Sequence, residues 1–390
     1  MNSFIYDIPT KVYFGAGQLA HLGEELSNYG KNVLVCYGGG SIKKSGLYDQ
    51  VIAEIRRAGL TAFELSGIAP NPRVTSVNEG AAICKRERID VILAVGGGSV
   101  IDCAKFVSVA AFYDGDAWDI MEHKYEPTKA LPLLDISTIS ATGSDMDAGG
   151  VISNEATQEK IGFSIPGLLQ PKVSFLDPTL TYSVGRRQTA CGSADILSHI
   201  IETYFVPEDG SMFLLDRFKE GLMQTVVKYA PVAMAEPENY EARANLQWAA
   251  SWAINGFTGA LQNVAWTCHP IEHELSAIYD ITHGLGLAII TPKWMKYILD
   301  EKTVSRFYDY GVHVFGIDGT QAPMDVAKQA IAATERFFYE TLGLASTLSA
   351  IGIDDQHFAL MAKRACGGDV LPGFRPLRQA DIEEILRLSL

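Results

Sequence analysis

Val91-Ile92-Leu93-Ala94-Val95-Gly96-Gly97-Gly98-Ser99 is the stretch that decides how the N-terminal half folds. An unbroken apolar run this short, ended by glycine, reads as a strand buried on both faces. Residues 100–111 then carry a helical pattern. A strand that passes through glycine directly into a helix opens a βαβ unit. Glycine lets backbone approach a ligand closely, and the helix start behind it presents unpaired N–H groups and the positive end of a dipole. A pyrophosphate suits such a turn. The spacing is not G-x-G-x-x-G, and a plain tight βα connection would carry the same glycines, so the turn by itself leaves both readings open.

The same grammar occurs one unit upstream. Residues 33–36 and 62–65 read as strands and 47–58 as the helix between them. The first of these strands runs into Tyr37-Gly38-Gly39-Gly40-Ser41, followed by Ile42-Lys43-Lys44. NAD-specific sites commonly place a carboxylate near the adenosine ribose, where it would repel a 2′-phosphate. This turn offers N–H groups, a hydroxyl and two lysines with no carboxylate before the helix, which favours NADP over NAD. A third stretch, Thr138-Ile-Ser-Ala-Thr142-Gly143-Ser144-Asp145, adds hydroxyl donors but has the composition of an ordinary loop.

Downstream, residues 173–176 are the last β-like run, and beyond Arg186 helical patterns dominate, for instance at 213–229 and 241–253. The expected fold is therefore an α/β N-terminal domain with a Rossmann-like parallel sheet, residues 1–185, followed by an all-α domain, residues 186–390. The cleft between two such halves is the default ligand site. A content of 47% hydrophobic and 20% charged residues supports a sizeable core. The net charge of −14 argues against a nucleic-acid partner. Residues 1–15 lack the pattern of a signal peptide and there is no apolar run of membrane-spanning length, so a cytoplasmic protein without membrane contact is expected. Six scattered cysteines without C-x-x-C spacing fit reduced thiols.

Histidine placement carries the chemistry. Of eight histidines, four fall in two helical segments. Asp195 and His199 stand four apart, as do His269 and His273, so each pair shares a helix face. His283 follows shortly, before Gly284-Leu-Gly286, where a bend is expected to return it toward His269. Imidazoles with a carboxylate suit a borderline divalent metal, iron(II) or zinc.

These segments resemble the iron-containing, or group III, alcohol dehydrogenases, in particular their butanol dehydrogenase and broad NADPH-dependent aldehyde reductase branch. The likeness extends over nearly the whole chain. It is carried by Pro9-Thr-Lys-Val-Tyr-Phe-Gly-Ala-Gly17, Pro70-Asn71-Pro72, Gly96 to Lys105, Leu176-Asp177-Pro178, Asp195-Ile-Leu-Ser-His199-Ile-Ile-Glu202 and the stretch from Trp266 to Gly286. The resemblance implies a dehydroquinate synthase-like architecture and metal ligands Asp195, His199, His269 and His283. His273 is then no ligand but a catalytic residue placed to relay a proton. Gly97, Gly98 and Ser99 would hold the pyrophosphate, Thr138 and Thr142 would line the cofactor groove, and Gly38, Gly39 and Ser41 would surround the adenosine 2′-position. Asn71 belongs to the same cofactor set, and Asp102 and Lys160 match positions near the nicotinamide, Asp102 also as a catalytic candidate. Two positions depart from the family pattern. Asp145 stands where glutamate is usual, and Gly185-Arg186 where related sequences carry proline.

The expected reaction is hydride transfer between NADP(H) and a primary alcohol or aldehyde at the divalent metal. Trp252, Phe257 and Trp266 are candidates for an apolar pocket. The alternative is a dehydroquinate synthase-like lyase using NAD and metal, which would need a basic cluster for a sugar phosphate, whereas Glu272 and Glu274 flank His273. A homodimer, formed through the strand around residues 12–14, is the expected assembly.

Overall fold

The computed structural model describes residues 4–206, 212–259 and 264–390. Eight strands lie in the first half: β1 (Lys11–Phe14), β2 (Asn32–Tyr37), β3 (Thr61–Leu65), β4 (Val91–Gly96), β5 (Leu133–Ser137), β6 (Gly149–Asn154), β7 (Glu159–Ser164) and β8 (Val173–Leu176). Six form one sheet in the order β1-β8-β5-β4-β2-β3. All of its pairings are parallel. Alternation along the strands divides their side chains between two cores. Leu34, Cys36, Ile92 and Ala94 pack with the helices Val74–Glu87 and Gly98–Ala110. Val33, Val35, Val91, Leu93 and Val95 face the helix Leu47–Arg57 through Val51 and Ile55. This two-sided burial is why the strand segments read as continuous apolar runs rather than alternating ones.

Strand order reverses between β2 and β4: β3 lies outside β2, whereas β5 and then β8 lie outside β4. The two strands are in register from Val33↔Val91 to Tyr37↔Val95, so both glycine turns leave from adjacent strand ends at the topological switch point. Ligands of open α/β sheets bind at that point.

Two strand features were not read from the sequence. β5 carries Asp135, and the antiparallel hairpin β6–β7 lies outside the main sheet. The hairpin is tied to residues 72–73 by the Ser153 N–H, which donates to the Pro72 carbonyl at 2.8 Å.

The chain divides into two compact units. One comprises residues 7–184 with 237–255, and the other the N-terminal residues up to Tyr6 with 185–236 and 256–390. A single cut at residue 185 assigns the helix Tyr240–Ile254 to the second half, but here it counts with the sheet. Its polar side chains reach that unit: Gln247 donates to the Ser137 carbonyl at 3.3 Å, and Ser251 Oγ donates to Asp145 at 2.5 Å. The other unit is built from helices and is interrupted, among the described residues, by the two-residue strand pair Val370–Leu371 and Leu377–Arg378. No described helix is long and apolar enough to cross a membrane. All six cysteines are buried and unbridged.

Candidate active site

Three helices of the second unit carry the proposed ligands. Arg186–Tyr204 supplies Asp195 and His199, Cys268–Tyr279 supplies His269 and His273, and His283–Ile298 begins at His283. The Nε2 atoms of His199, His269 and His283 lie 3.7, 3.9 and 3.6 Å from Asp195 Oδ1. Ligands about 2.1 Å from a tetrahedral ion are separated by about 3.4 Å, so the carboxylate–imidazole spacings are close to those of a coordination shell. Asp195, His199 and His269 form the compact group, and His283 approaches it through Asp195. Asp195, His199 and His269 are buried, and the His283 side chain is 21% exposed, which marks the open side of the cluster. Buried His269 Nε2 makes no hydrogen bond, as expected of an atom whose lone pair is kept for an ion. The donor set of three imidazoles and one carboxylate fits iron(II) or zinc.

Two glutamates set the tautomers. Glu202 Oε1 accepts from His269 Nδ1, and its Oε2 accepts from the backbone N–H groups of Thr267 and, at 2.7 Å, Cys268. Glu272 Oε2 accepts from His283 Nδ1, and its Oε1 from Ser276 Oγ. A carboxylate at Nδ1 requires the proton there and leaves Nε2 with its lone pair. Burial alone would lower the His269 pKa, but the charge and hydrogen bond of Glu202 outweigh it and the net shift is upward. His199 has no such partner. Burial, followed by the neighbouring His269, holds its pKa well below the usual value. Sequence reading placed Glu202 and Glu272 in these segments but gave them no role. The available signal was a glutamate three residues after each of His199 and His269.

The bend before His283 is made differently from the expectation. Asp280 takes the left-handed conformation (φ 49°) and ends the helix Cys268–Tyr279, whereas Gly284 and Gly286 lie inside the next helix. These glycines allow close packing. A Cβ on Gly284 would come within 1.9 Å of the Cys191 carbonyl oxygen, and one on Gly286 within 2.7 Å of Glu272 Cγ. Of the three aromatic candidates, Trp266 packs edge-on against His199 and His269, at centroid distances of 5.8 and 4.9 Å. Phe257 packs against Tyr6 and Phe218. Trp252 belongs to the sheet unit and meets Trp248. His273 stands beside the ligands, its ring centroid 5.5 Å from that of His283 and 6.2 Å from that of His269.

In the sheet unit, the turn after β4 and the loop after β5 close on each other. A Cβ on Gly97 would meet Ile139, one on Gly98 would meet Thr142, and Thr138 N–H donates to the Gly96 carbonyl at 2.9 Å. Gly97 precedes the helix Gly98–Ala110, whose first turn includes Ser99. The glycine-lined start of this helix fits a pyrophosphate. Asp102 is turned inward. It accepts from Ser144 Oγ at 2.6 Å and from Val151 N–H at 3.0 Å, and burial raises its pKa to about 6 against the opposing charge of Lys105. Asp145, the shorter residue at its position, is also buried, and its pKa is raised to about 6 by burial.

Around the turn after β2, a Cβ on Gly38 would meet the Ile68 carbonyl at 3.1 Å, whereas Gly39 has no atom within 4 Å of such a position. Gly40 has φ 103° and precedes Ser41, the first residue of a short helical turn. Asn71 is left-handed (φ 52°), and its carbonyl accepts from Arg73. Lys160 lies on β7 opposite Ser153, the residue bonded to Pro72, so the hairpin gathers the Asn71 and Lys160 segments. One carboxylate near this turn was missed. Glu64 on β3 accepts from the phenols of Tyr37 and Tyr48.

Comparison with known proteins is consistent over the whole length. Residues 9–178 match the family model for iron-containing alcohol dehydrogenase, and residues 189–390 match the C-terminal model of the Fe-containing alcohol dehydrogenase family. The chain is 46% identical over 391 residues to NADH-dependent butanol dehydrogenase A of Clostridium acetobutylicum, covering 100% of both chains. It is 37% identical over 368 residues to the NADPH-dependent aldehyde reductase YqhD of Escherichia coli, covering 93% of each. The crystal structure of an NADH-dependent butanol dehydrogenase A from Thermotoga maritima superposes with a TM-score of 0.94 at 39% identity, over 100% of this chain and 99% of that one.

Proposed function

The chain belongs to the iron-containing alcohol dehydrogenase family, and from that premise we propose a butanol dehydrogenase-like enzyme that interconverts primary alcohols and aldehydes with NADP(H). The observation that carries this reading is the gathering of three imidazole Nε2 atoms 3.6–3.9 Å from one buried carboxylate oxygen. Asp195, His199, His269 and His283 would hold one divalent ion, iron(II) first and zinc as the alternative, which when bound supplies Lewis-acid polarisation of the substrate oxygen. Nicotinamide supplies or accepts the hydride.

The chain's own residues do the rest. Glu202 and Glu272 keep the His269 and His283 lone pairs directed at the ion. His273 takes the alcohol proton at its imidazole in oxidation and returns it in reduction. Gly97, Gly98 and Ser99 bind the pyrophosphate, with Thr138 and Thr142 lining the groove and Asn71 and Lys160 contributing from the hairpin side. Asp102, engaged by Ser144 and Val151, acts as a positioning residue for the cofactor loop. The preference for NADP(H) rests on Gly38, Gly39 and Ser41, a turn without a carboxylate of its own and followed by Lys43 and Lys44. Of the relatives compared, the clostridial and Thermotoga enzymes are named for NADH and YqhD for NADPH.

The division of labour we propose is cofactor binding by residues 1–185 and metal binding by 186–390, in a cytoplasmic homodimer. A lyase acting on a sugar phosphate would want cationic side chains at the ligands, where Glu202, Glu272 and Glu274 stand instead. The deciding experiment is elemental analysis of the purified protein together with NADPH and NADH oxidation across C2 to C6 aldehydes. Stoichiometric iron or zinc with butanal reduction is the expected result, and a metal-free protein inactive on every aldehyde after metal addition would refute the reading.

A further inference from the structure

Beside the turn after β2 lies a compact polar group built from three segments. Tyr37 ends β2, Tyr48 is in the first turn of the helix Leu47–Arg57, and Glu64 is on β3. Glu64 accepts from the Tyr37 hydroxyl with one oxygen and from the Tyr48 hydroxyl, at 2.5 Å, with the other. Lys43 Nζ stands 3.8 Å from Glu64 Oε2 and lies over both phenol rings, 4.9 Å from the Tyr37 centroid and 4.6 Å from that of Tyr48. The end of β3 is also fastened to the turn itself, since Ile68 N–H donates to the Tyr37 carbonyl and Gly67 N–H to that of Gly38, both at 3.3 Å.

The two phenol hydrogen bonds, Tyr37 first, hold the Glu64 carboxyl below its usual pKa, so it is charged at neutral pH. The group is thus a carboxylate with two phenol donors and, 3.8 Å away, a cation on the segment expected to meet a 2′-phosphate. Glu64 follows Ser41 by 23 residues. That is near the offset of about 20 at which dinucleotide-binding units carry their ribose-facing acid.

We propose that Glu64 sets cofactor choice by holding Lys43, so that a 2′-phosphate gains this ammonium only by drawing it away from the carboxylate. The inference rests on the reading above that Gly38, Gly39 and Ser41 receive the adenosine ribose. It adds a residue from the neighbouring strand that tempers the preference for NADPH. Both side chains are half exposed, so the lever is modest.

The test is to measure Kd for NADPH and NADH by nicotinamide fluorescence in the wild type, Glu64→Gln, Lys43→Ala and the double variant. Glu64→Gln should tighten NADPH about two- to five-fold while NADH stays nearly unchanged. Lys43→Ala should weaken NADPH, and on that background Glu64→Gln should have no further effect. If Glu64→Gln leaves NADPH unchanged while Lys43→Ala weakens it, the lever is wrong and the cofactor reading survives. An equal gain from Glu64→Gln with and without Lys43 would mean direct repulsion, which also overturns the proposal. If neither variant alters NADPH binding, the ribose is not at this turn and both readings fall together.

Discussion

Replacing Glu202 with glutamine keeps its volume and removes one acceptor from a place where three donors converge. Glu202 serves His269 Nδ1 on one oxygen and the Thr267 and Cys268 N–H groups on the other. A glutamine has one oxygen for both tasks. If that oxygen faces the backbone, its NH2 faces Nδ1, the imidazole proton moves to Nε2, and that atom no longer ligates. Restoring the ligating tautomer then breaks the amide–imidazole hydrogen bond and leaves buried N–H groups facing each other without an acceptor, about 1.5–3 kcal/mol. If the oxygen instead faces His269, two buried N–H groups lose their acceptor at about 1–3 kcal/mol each. The cheaper route corresponds to metal affinity about 10- to 150-fold weaker, in line with the range for lost histidine-orienting carboxylates. Titration of metal-free protein with zinc(II) or iron(II) against a competing chelator measures this directly. Affinity within about twofold of the wild type would refute the argument that Glu202 fixes the tautomer.

The other consequences are briefer. His273→Ala should keep its metal and lose about a hundredfold or more in turnover, and loss of metal instead would make His273 a ligand. Gly39→Asp meets open space and should fold normally while raising the KM for NADPH; an unchanged KM would leave the turn as a simple βα connection. Asp135 is fully buried, its pKa is raised well above the usual value by burial and then by Asp145, and its Oδ1 has no hydrogen-bond partner. Its folded state therefore favours the protonated form, so stability is lost as pH rises from the unfolded carboxyl value of about 4 through the folded one. Asp135→Asn should flatten the fall in thermal midpoint between pH 5 and pH 8, and parallel curves for the two proteins would contradict this.

The sheet was legible because β2, β4 and β8 are buried on both faces and nothing in them interrupts the apolar run. β5 was not, because Asp135 and Ser137 break the pattern with polar groups whose partners, such as Ser174 Oγ on Asp135, lie far along the chain. The hairpin β6–β7 escaped for a related reason. Its first strand opens with two glycines and the only buried residue of its second is the charged Lys160, so neither gives an apolar strand signal. At the metal centre, the helical spacing of four was readable, and the turn geometry was not. Gly284 and Gly286 look like flexibility in a one-dimensional sequence, but a neighbouring backbone 1.9 Å from a would-be Cβ is a fact of three-dimensional packing. Asp280, the residue that makes the turn, has no special look in the sequence.

The two orienting glutamates also explain how the ligand helices are kept in order. Glu202 lies three residues after His199, yet it serves His269 on the next ligand-bearing helix, Cys268–Tyr279. Glu272 lies three residues after His269 and serves His283, which opens the helix after that. The first two of the three ligand helices therefore each carry the carboxylate that aims the imidazole of the next ligand helix. His199 is the first in the series and has no such partner, since its Nδ1 is buried without a hydrogen bond. Its orientation depends instead on packing between His269, stacked at 4.6 Å, and Trp266. A misplaced helix would thus break a buried carboxylate–imidazole pair as well as a ligand. Correct assembly of the bundle and correct tautomers at the site are consequently coupled.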